Sequence, residues 1–294
     1  MYLEFFSMNH SPFGVTPDTR FLYLSPQHED ALATLLYGIR ERRGFMILTG
    51  EVGTGKSTTI RALLNELKND VETSLVLNPL LSTDELVKTI SRDFGCAVAE
   101  TDNVQTVLEH LNLFLLENDQ KGRNAVVIID ESQNLSLESL EMVRLLSNLE
   151  TETHKLIQIV LVGQPELETK LADPALRQLR QRIQIAHRLH PLNCEETKNY
   201  VIHRVKQSGP KCCIVFQSTA LKKIYEYTSG FPRLINTLGE LMLVTAFTKE
   251  THVITNAIVD QAFKEMLDKS WQKVPLWKKV LGIGGKEPRH VNNT

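Results

Sequence analysis

Four cysteines in 294 residues are too few to staple a fold, and Cys96, Cys194, Cys212 and Cys213 show no metal-type spacing. A disulfide scaffold and a zinc module are therefore excluded, and a reduced compartment is expected. Strong charge of either sign is missing as well. A net charge of −2 gives no bulk electrostatic pull toward nucleic acid, so such contact would need a local basic patch. Nowhere does the chain hold the roughly 18 consecutive apolar residues that a membrane-crossing helix needs. Met1-Tyr2-Leu3-Glu4-Phe5-Phe6 lacks the basic region and long apolar core of a secretory signal. Internal repeats and low-complexity tracts are absent. What remains is an ordinary globular composition, 42% hydrophobic and 23% charged, long enough for two domains or one large one. A cytoplasmic location is the expectation.

Against that plain background one stretch stands out: Gly50-Glu51-Val52-Gly53-Thr54-Gly55-Lys56-Ser57 fits the phosphate-binding pattern G-x-x-x-x-G-K-[ST]. Phe45-Met46-Ile47-Leu48 leads in as a buried strand, and the residues from Thr58 lead out as a helix. That context lets glycine-rich backbone turn its N–H groups onto phosphate oxygens at a helix N-terminus. Lys56 is placed to reach the β- and γ-phosphates of ATP, and the Ser57 hydroxyl to bind Mg²⁺.

After this loop the chain alternates strand and helix, as a parallel sheet with helical crossovers must. A strand is expected at Thr73–Leu77 and a capping box at Ser82 to Glu85, with the helix stopping at Gly95. Residues 102–118 carry Val104, Leu108, Leu111 and Leu115 at helical spacing. Ala125 to Ile129 is apolar throughout and delivers Asp130 and Glu131 at its C-terminal end, the edge where open α/β sheets bind ligands. Asp130 suits the Mg²⁺ shell, and Glu131 suits a general base that polarises water for attack on the γ-phosphate. The strand Leu156–Gly163 delivers Gln164, whose side chain either bonds the attacking water or the γ-phosphate, or merely caps the next helix. Arg177, Arg180 and Arg182 offer either an arginine finger, supplied in trans by a neighbouring subunit, or a solvated basic helix. Ile183–Leu189 is the last core strand.

The ends of the chain are less regular. Prolines break the segment from Ser11 to Asp18, and Phe21 to Leu24, including Tyr23, either line the adenine pocket or cover the sheet edge. A helix over Gln27–Arg42 follows. Beyond residue 190 only helices are expected, at Glu195–Gln207, Thr219–Thr228, Pro232–Thr248 and Thr255–Asp268. Arg233 opens the third, where it leans onto bound phosphates or stays a surface residue. Both tryptophans, Trp271 and Trp277, fall in the final segment among Lys273, Lys278 and Lys279. That segment reads as a docking element for membrane or partner, or as packing on the lid.

Taken together, these motifs resemble those of the AAA+ ATPases, and more narrowly the bacterial group that includes general secretion pathway protein A and the ATPase of MSHA-type pilus biogenesis. The resemblance is carried by Pro12-Phe13 with Thr16-Pro17-Asp18, Phe21-Leu22-Tyr23, Gly50 to Ser57 (and Thr58 beside it), Ile129 to Gln133, Gly163 to Leu167, Leu179 to Ile183 and Gly230 to Asn236. It implies an α/β P-loop core with helices on both faces of a parallel sheet, then a small all-α lid. The expected divisions are an N-terminal segment on the core and adenine pocket at 1–43, the ATPase core at 44–190, the lid at 191–268 and a tail at 269–294. It also implies an ATP-hydrolysing homo-oligomer, a ring with Gln164 as sensor 1, Arg233 as sensor 2 and Arg180 or Arg182 as the trans finger. The client would be a membrane-associated secretion, pilus or exopolysaccharide assembly, with peripheral attachment at the inner membrane. A DNA-associated regulator of the transposition type is the alternative, although no clear nucleic-acid signal appears. Secretion protein A continues into a membrane helix and a periplasmic region that this chain lacks, so a stand-alone form is the closer expectation.

Overall fold

The computed structural model describes residues 1–14, 19–67 and 71–269. The motif at Thr16-Pro17-Asp18 and the tail from Trp271 to Lys279 lie outside them. A short helix α1 (Tyr2–Phe5) precedes α2 (Pro26–Arg40), β1 (Phe45–Gly50) and α3 (Lys56–Glu66). Then come β2 (Val71–Val76), α4 (Thr83–Asp93), α5 (Val104–Gln120), β3 (Asn124–Ile129), α6 (Leu137–Leu146) and β4 (Gln158–Gly163). The core ends with α7 (Glu166–Leu171), α8 (Arg177–Arg180) and β5 (Ile183–Leu189).

These five strands form one parallel sheet in the order β2-β3-β4-β1-β5. Side chains alternate across a strand, and the alternation sorts the sheet into two apolar faces. Ile47, Val127, Ile129, Ile159 and Leu161 pack against α4, α5, α6 and α7. Met46, Leu48, Val126, Ile128, Val160 and Val162 pack against α2 and α3. Strands β1, β3 and β4 are buried along their whole length, which is why they read as unbroken apolar runs. Edge strand β5 alternates instead. The Ser82 capping box forms as expected, and Gly95 sits at φ +82° just past the helix it ends. On α5 the buried stripe is Val107, Leu111 and Leu115, with Leu108 half-buried, so the inward face is turned slightly from the one expected at Val104.

The C-terminal helices are α9 (Cys194–Gln207), α10 (Ser218–Thr228), α11 (Pro232–Thr248) and α12 (Asn256–Lys269). Between them a two-stranded parallel pair, β6 (Val215–Phe216) and β7 (Val253–Ile254), adds a feature that helical periodicity did not signal. The expectation for residues 1–43 needs correcting. Phe6, Met8 and Phe13 are buried in the cluster of Tyr200, Ile235, Leu238 and Met242, so residues 1–14 pack with the lid helices. Gly239 makes room for this: a Cβ there would meet the Phe13 ring at 2.5 Å. Among the described residues before β1, α2 is the element that packs on the sheet.

Candidate nucleotide-binding site

Strand β1 ends at Gly50, and the chain turns through Gly53 at φ +84° and Gly55 at φ +105° before α3 begins at Lys56. A side chain at either turn position would be strained, and each is also crowded. A Cβ on Gly53 would lie 2.8 Å from Arg233 Cβ, and one on Gly55 2.5 Å from His28 Nε2. Thr54 Oγ1 donates to the Glu51 carbonyl at 2.8 Å and closes the loop on itself. Lys56 is only 7% exposed; its Nζ donates to the Gly50 and Glu51 carbonyls at 2.7 and 3.1 Å. Burial lowers its pKa, opposed by Glu131, Asp130, Glu51 and Glu166. A buried ammonium on neutral carbonyls is a cation still short of an anion.

At the end of β3, Ser57 Oγ donates to Asp130 Oδ2 at 3.3 Å. Asp130 Oδ1 accepts the Glu131 N–H at 2.9 Å, which helps hold Glu131 in its left-handed conformation at φ +51°. Two amides meet the Glu131 carboxylate: Gln133 Nε2 and Gln164 Nε2 donate to the same Oε2, at 2.5 and 3.2 Å. Gln133 Oε1 in turn accepts the Gln164 N–H at 3.0 Å. Gly163 allows this closure, since a Cβ there would meet Gln133 Oε1 at 2.8 Å. The Gln164 side chain thus goes to Glu131; the helix after it has no side-chain cap.

Arg233, at the start of α11, shares an open cleft with Val52, Gly53, Gly55, Lys56, Ser57, Thr58 and Glu131. A small adjoining cavity is lined by Phe21, Leu22, Tyr23, His28, Tyr200 and Arg204, among others. Tyr23 packs edge-on to Tyr200, with ring centroids 5.7 Å apart, and burial raises its pKa. Arg204 is 8% exposed, donates to Tyr200 Oη at 3.0 Å and lies over the Phe21 ring at 5.1 Å.

The candidate arginines lie elsewhere. Arg182 donates to Ser147 Oγ at 2.8 Å and Asn148 Oδ1 at 2.5 Å, so it is bound to the end of α6 in its own chain. Arg180 is exposed and donates to the Ala172 carbonyl, at 3.2 Å, while Arg177 is exposed. The structure therefore brings the phosphate loop, Glu131 and Arg233 onto one cleft, with Asp130 and Gln164 hydrogen-bonded to Ser57 and Glu131 behind it and Tyr23 in the adjoining cavity, but not Arg180 or Arg182. Sequence reasoning gave no role to Gln133, His28, Tyr200 or Arg204. A histidine on the apolar face of α2, in line with Leu35 and Ile39, was the available signal for His28.

The donor set fits a nucleoside triphosphate with Mg²⁺: a glycine cradle no Cβ could share, a buried ammonium, and a hydroxyl paired with a carboxylate. A model of the AAA domain family matches residues 39–171. Those residues have the AAA-type P-loop fold. Beyond it, the chain is 38% identical over 268 residues to general secretion pathway protein A of Aeromonas hydrophila, covering 90% of this chain and 48% of that protein. The chain thus spans about half the length of that relative, and the resemblance carried by the motifs holds across both the AAA domain and its lid. Among solved structures it is similar to the ORC2 protein of Aeropyrum pernix (TM-score 0.63, 16% identity, 90% of this chain and 75% of that one). It is also similar to Cdc6p of Pyrobaculum aerophilum (0.63, 19%, 85% and 71%) and the RuvB Holliday junction branch migration motor of Thermotoga maritima (0.55, 16%, 84% and 73%). At these identities the likeness concerns the fold: an AAA+ P-loop core followed by a helical lid.

Proposed function

We propose that the AAA domain and its lid bind ATP with Mg²⁺ and hydrolyse it to ADP and phosphate. The observation that carries this reading is the convergence of Lys56 and Ser57 on α3, Asp130 and Glu131 after β3, and Arg233 on α11, three separate elements, at the phosphate loop. Lys56 exchanges its carbonyl partners for phosphate oxygens, and Ser57 and Asp130 hold the metal. Bound Mg²⁺ would neutralise charge on the phosphates. Glu131 takes the proton of the attacking water, its carboxylate held in place by Gln133 and Gln164. Arg233 brings positive charge from the lid, so that closure and phosphate binding favour each other. Tyr23, with Phe21 and Tyr200, forms an aromatic wall suited to a base.

Subunits are proposed to assemble head to tail, closing as a ring, with an arginine supplied to the neighbour's site. Arg180 is the better candidate for that role, because Arg182 is already committed to Ser147 and Asn148. By its likeness to general secretion pathway protein A, the ATPase is proposed to power or switch assembly of a cell-envelope secretion system, peripheral to the inner membrane. No helix among the described residues is long and apolar enough to cross a membrane. The test is MgATP binding and phosphate release by wild type and Lys56→Ala. Loss of both in the variant is expected; a variant that binds ATP as tightly as wild type refutes the phosphate-cradle reading.

A further inference from the structure

The first turn of α2 packs against the phosphate loop. His28 is 3% exposed, and Ser25 and Thr54 are fully buried. His28 Nε2 lies 2.8 Å from the Thr54 carbonyl oxygen, and Nδ1 lies 2.7 Å from Ser25 Oγ. A carbonyl oxygen only accepts, so Nε2 carries the proton and Nδ1 accepts from the Ser25 hydroxyl. Ser25 stands at the N-cap of α2, where a hydroxyl ordinarily bonds the first turn, yet it makes no such bond. Its hydroxyl goes to the ring instead. Burial lowers the His28 pKa, against the opposing influence of the Thr54 bond and Glu196, and this keeps the ring neutral in the tautomer described. The turn is fastened from its other side by Gln27, which donates to the His190 carbonyl at 2.8 Å and accepts the His190 N–H at 2.9 Å.

The consequence lies in one peptide plane. The C=O and N–H of a trans peptide point in opposite directions. A Thr54 carbonyl drawn toward α2 turns the Gly55 N–H away from α2, toward the cleft lined by Lys56 and Ser57. Gly55 itself, at φ +105°, cannot fix that plane, since a residue without a Cβ rotates with little resistance. The alternative orientation would present a carbonyl oxygen to phosphate.

We propose that His28 is a positioning residue for nucleotide: by holding the Thr54 carbonyl it keeps the Gly55 N–H aimed at the phosphate site. This rests on the nucleotide-binding reading above. It is tested by the affinity of a fluorescent ADP with Mg²⁺, measured beside the nucleotide-free melting temperature, for wild type, His28→Ala, His28→Gln and Ser25→Ala. His28→Ala is expected to bind roughly ten-fold more weakly, from one lost hydrogen bond and a loop no longer preorganised. His28→Gln should recover most of the affinity, because its amide donates to the same carbonyl. Ser25→Ala keeps the ring but frees its tautomer, and should weaken binding by a smaller factor. Wild-type affinity in His28→Ala, or a Gln variant that folds as wild type yet binds no better than Ala, overturns the proposal. Should His28→Ala not fold, Ser25→Ala decides: unchanged affinity there overturns it too. A wild-type chain that binds no ADP overturns the nucleotide reading itself, which separates the two failures.

Discussion

Replacing Glu131 by glutamine separates the chemistry at this site from binding. In the structure Glu131 receives the Gln133 and Gln164 amides on one oxygen, Oε2. A glutamine in its place can turn its own carbonyl oxygen toward both donors, so the local network survives. Lys56, Ser57 and the glycine loop are untouched, and the affinity for a non-hydrolysable ATP analogue should stay within about two-fold of wild type. What disappears is basicity, because an amide cannot take the proton of the attacking water. A positioned general base contributes about 10²- to 10⁴-fold, equivalent to roughly 3–5 kcal/mol of barrier. Phosphate release at saturating MgATP should fall by that factor. The assay pairs steady-state phosphate release with equilibrium binding of the analogue. Turnover within ten-fold of wild type would show that another group polarises the water. A variant that instead loses affinity while keeping turnover would make Glu131 a ground-state contact and refute its assignment as base.

Two further outcomes follow from the geometry. Glu131→Gln subunits and Arg180→Ala subunits should each be inactive alone but regain activity when mixed, because one interface then pairs an intact base with an intact arginine. Specific activity that is independent of protein concentration, with no rescue on mixing, excludes a trans donor at Arg180. Gly230 sits at φ +76°, and a Cβ there would approach the Leu192 carbonyl oxygen to 1.8 Å, across the hydrogen bond from Leu192 N–H to the Gly230 carbonyl at 2.9 Å. Gly230→Ala therefore combines positive-φ strain with a backbone clash, and should cost about 2–4 kcal/mol, lowering the melting temperature by roughly 5 °C or more. A melt indistinguishable from wild type would mean that the contact between Leu192 and the turn before α11 yields more readily than its packing implies.

Much of the fold was legible in the sequence because its determinants are local. A buried parallel strand must be apolar on both faces, so β1, β3 and β4 announced themselves. The glycines of the phosphate loop are demanded by backbone conformation within a few residues, and the Ser82 capping box by the geometry of one helical turn. Asp130 and Glu131 were readable for a related reason: the end of a central strand in such a sheet is an address fixed by topology.

Contacts across the fold carry no comparable signal. Nothing local says that Gln133 and Gln164, 31 residues apart and on different elements, share one oxygen of Glu131. Nor does any pattern reveal that Arg182 is bound to α6 while Arg180 is left exposed, since both sit in the same short basic run. The whole segment 1–43 was expected on the core and adenine pocket, but Phe6 and Phe13 are buried among the lid helices, because burial rewards whichever apolar surface the chain can reach. His28 shows the division most plainly. Its place on the apolar face of α2 was written in the helical period, but its partner, the Thr54 carbonyl 26 residues on, was chosen by how α2 packs against the loop. The sequence by itself determined which backbone segments bend, which bury and where carboxylates emerge, because those follow from short-range sterics and periodicity. Only the tertiary structure decided which side chains hold the loop, the base and the lid in register, because that depends on distances set by the packing of all the elements at once.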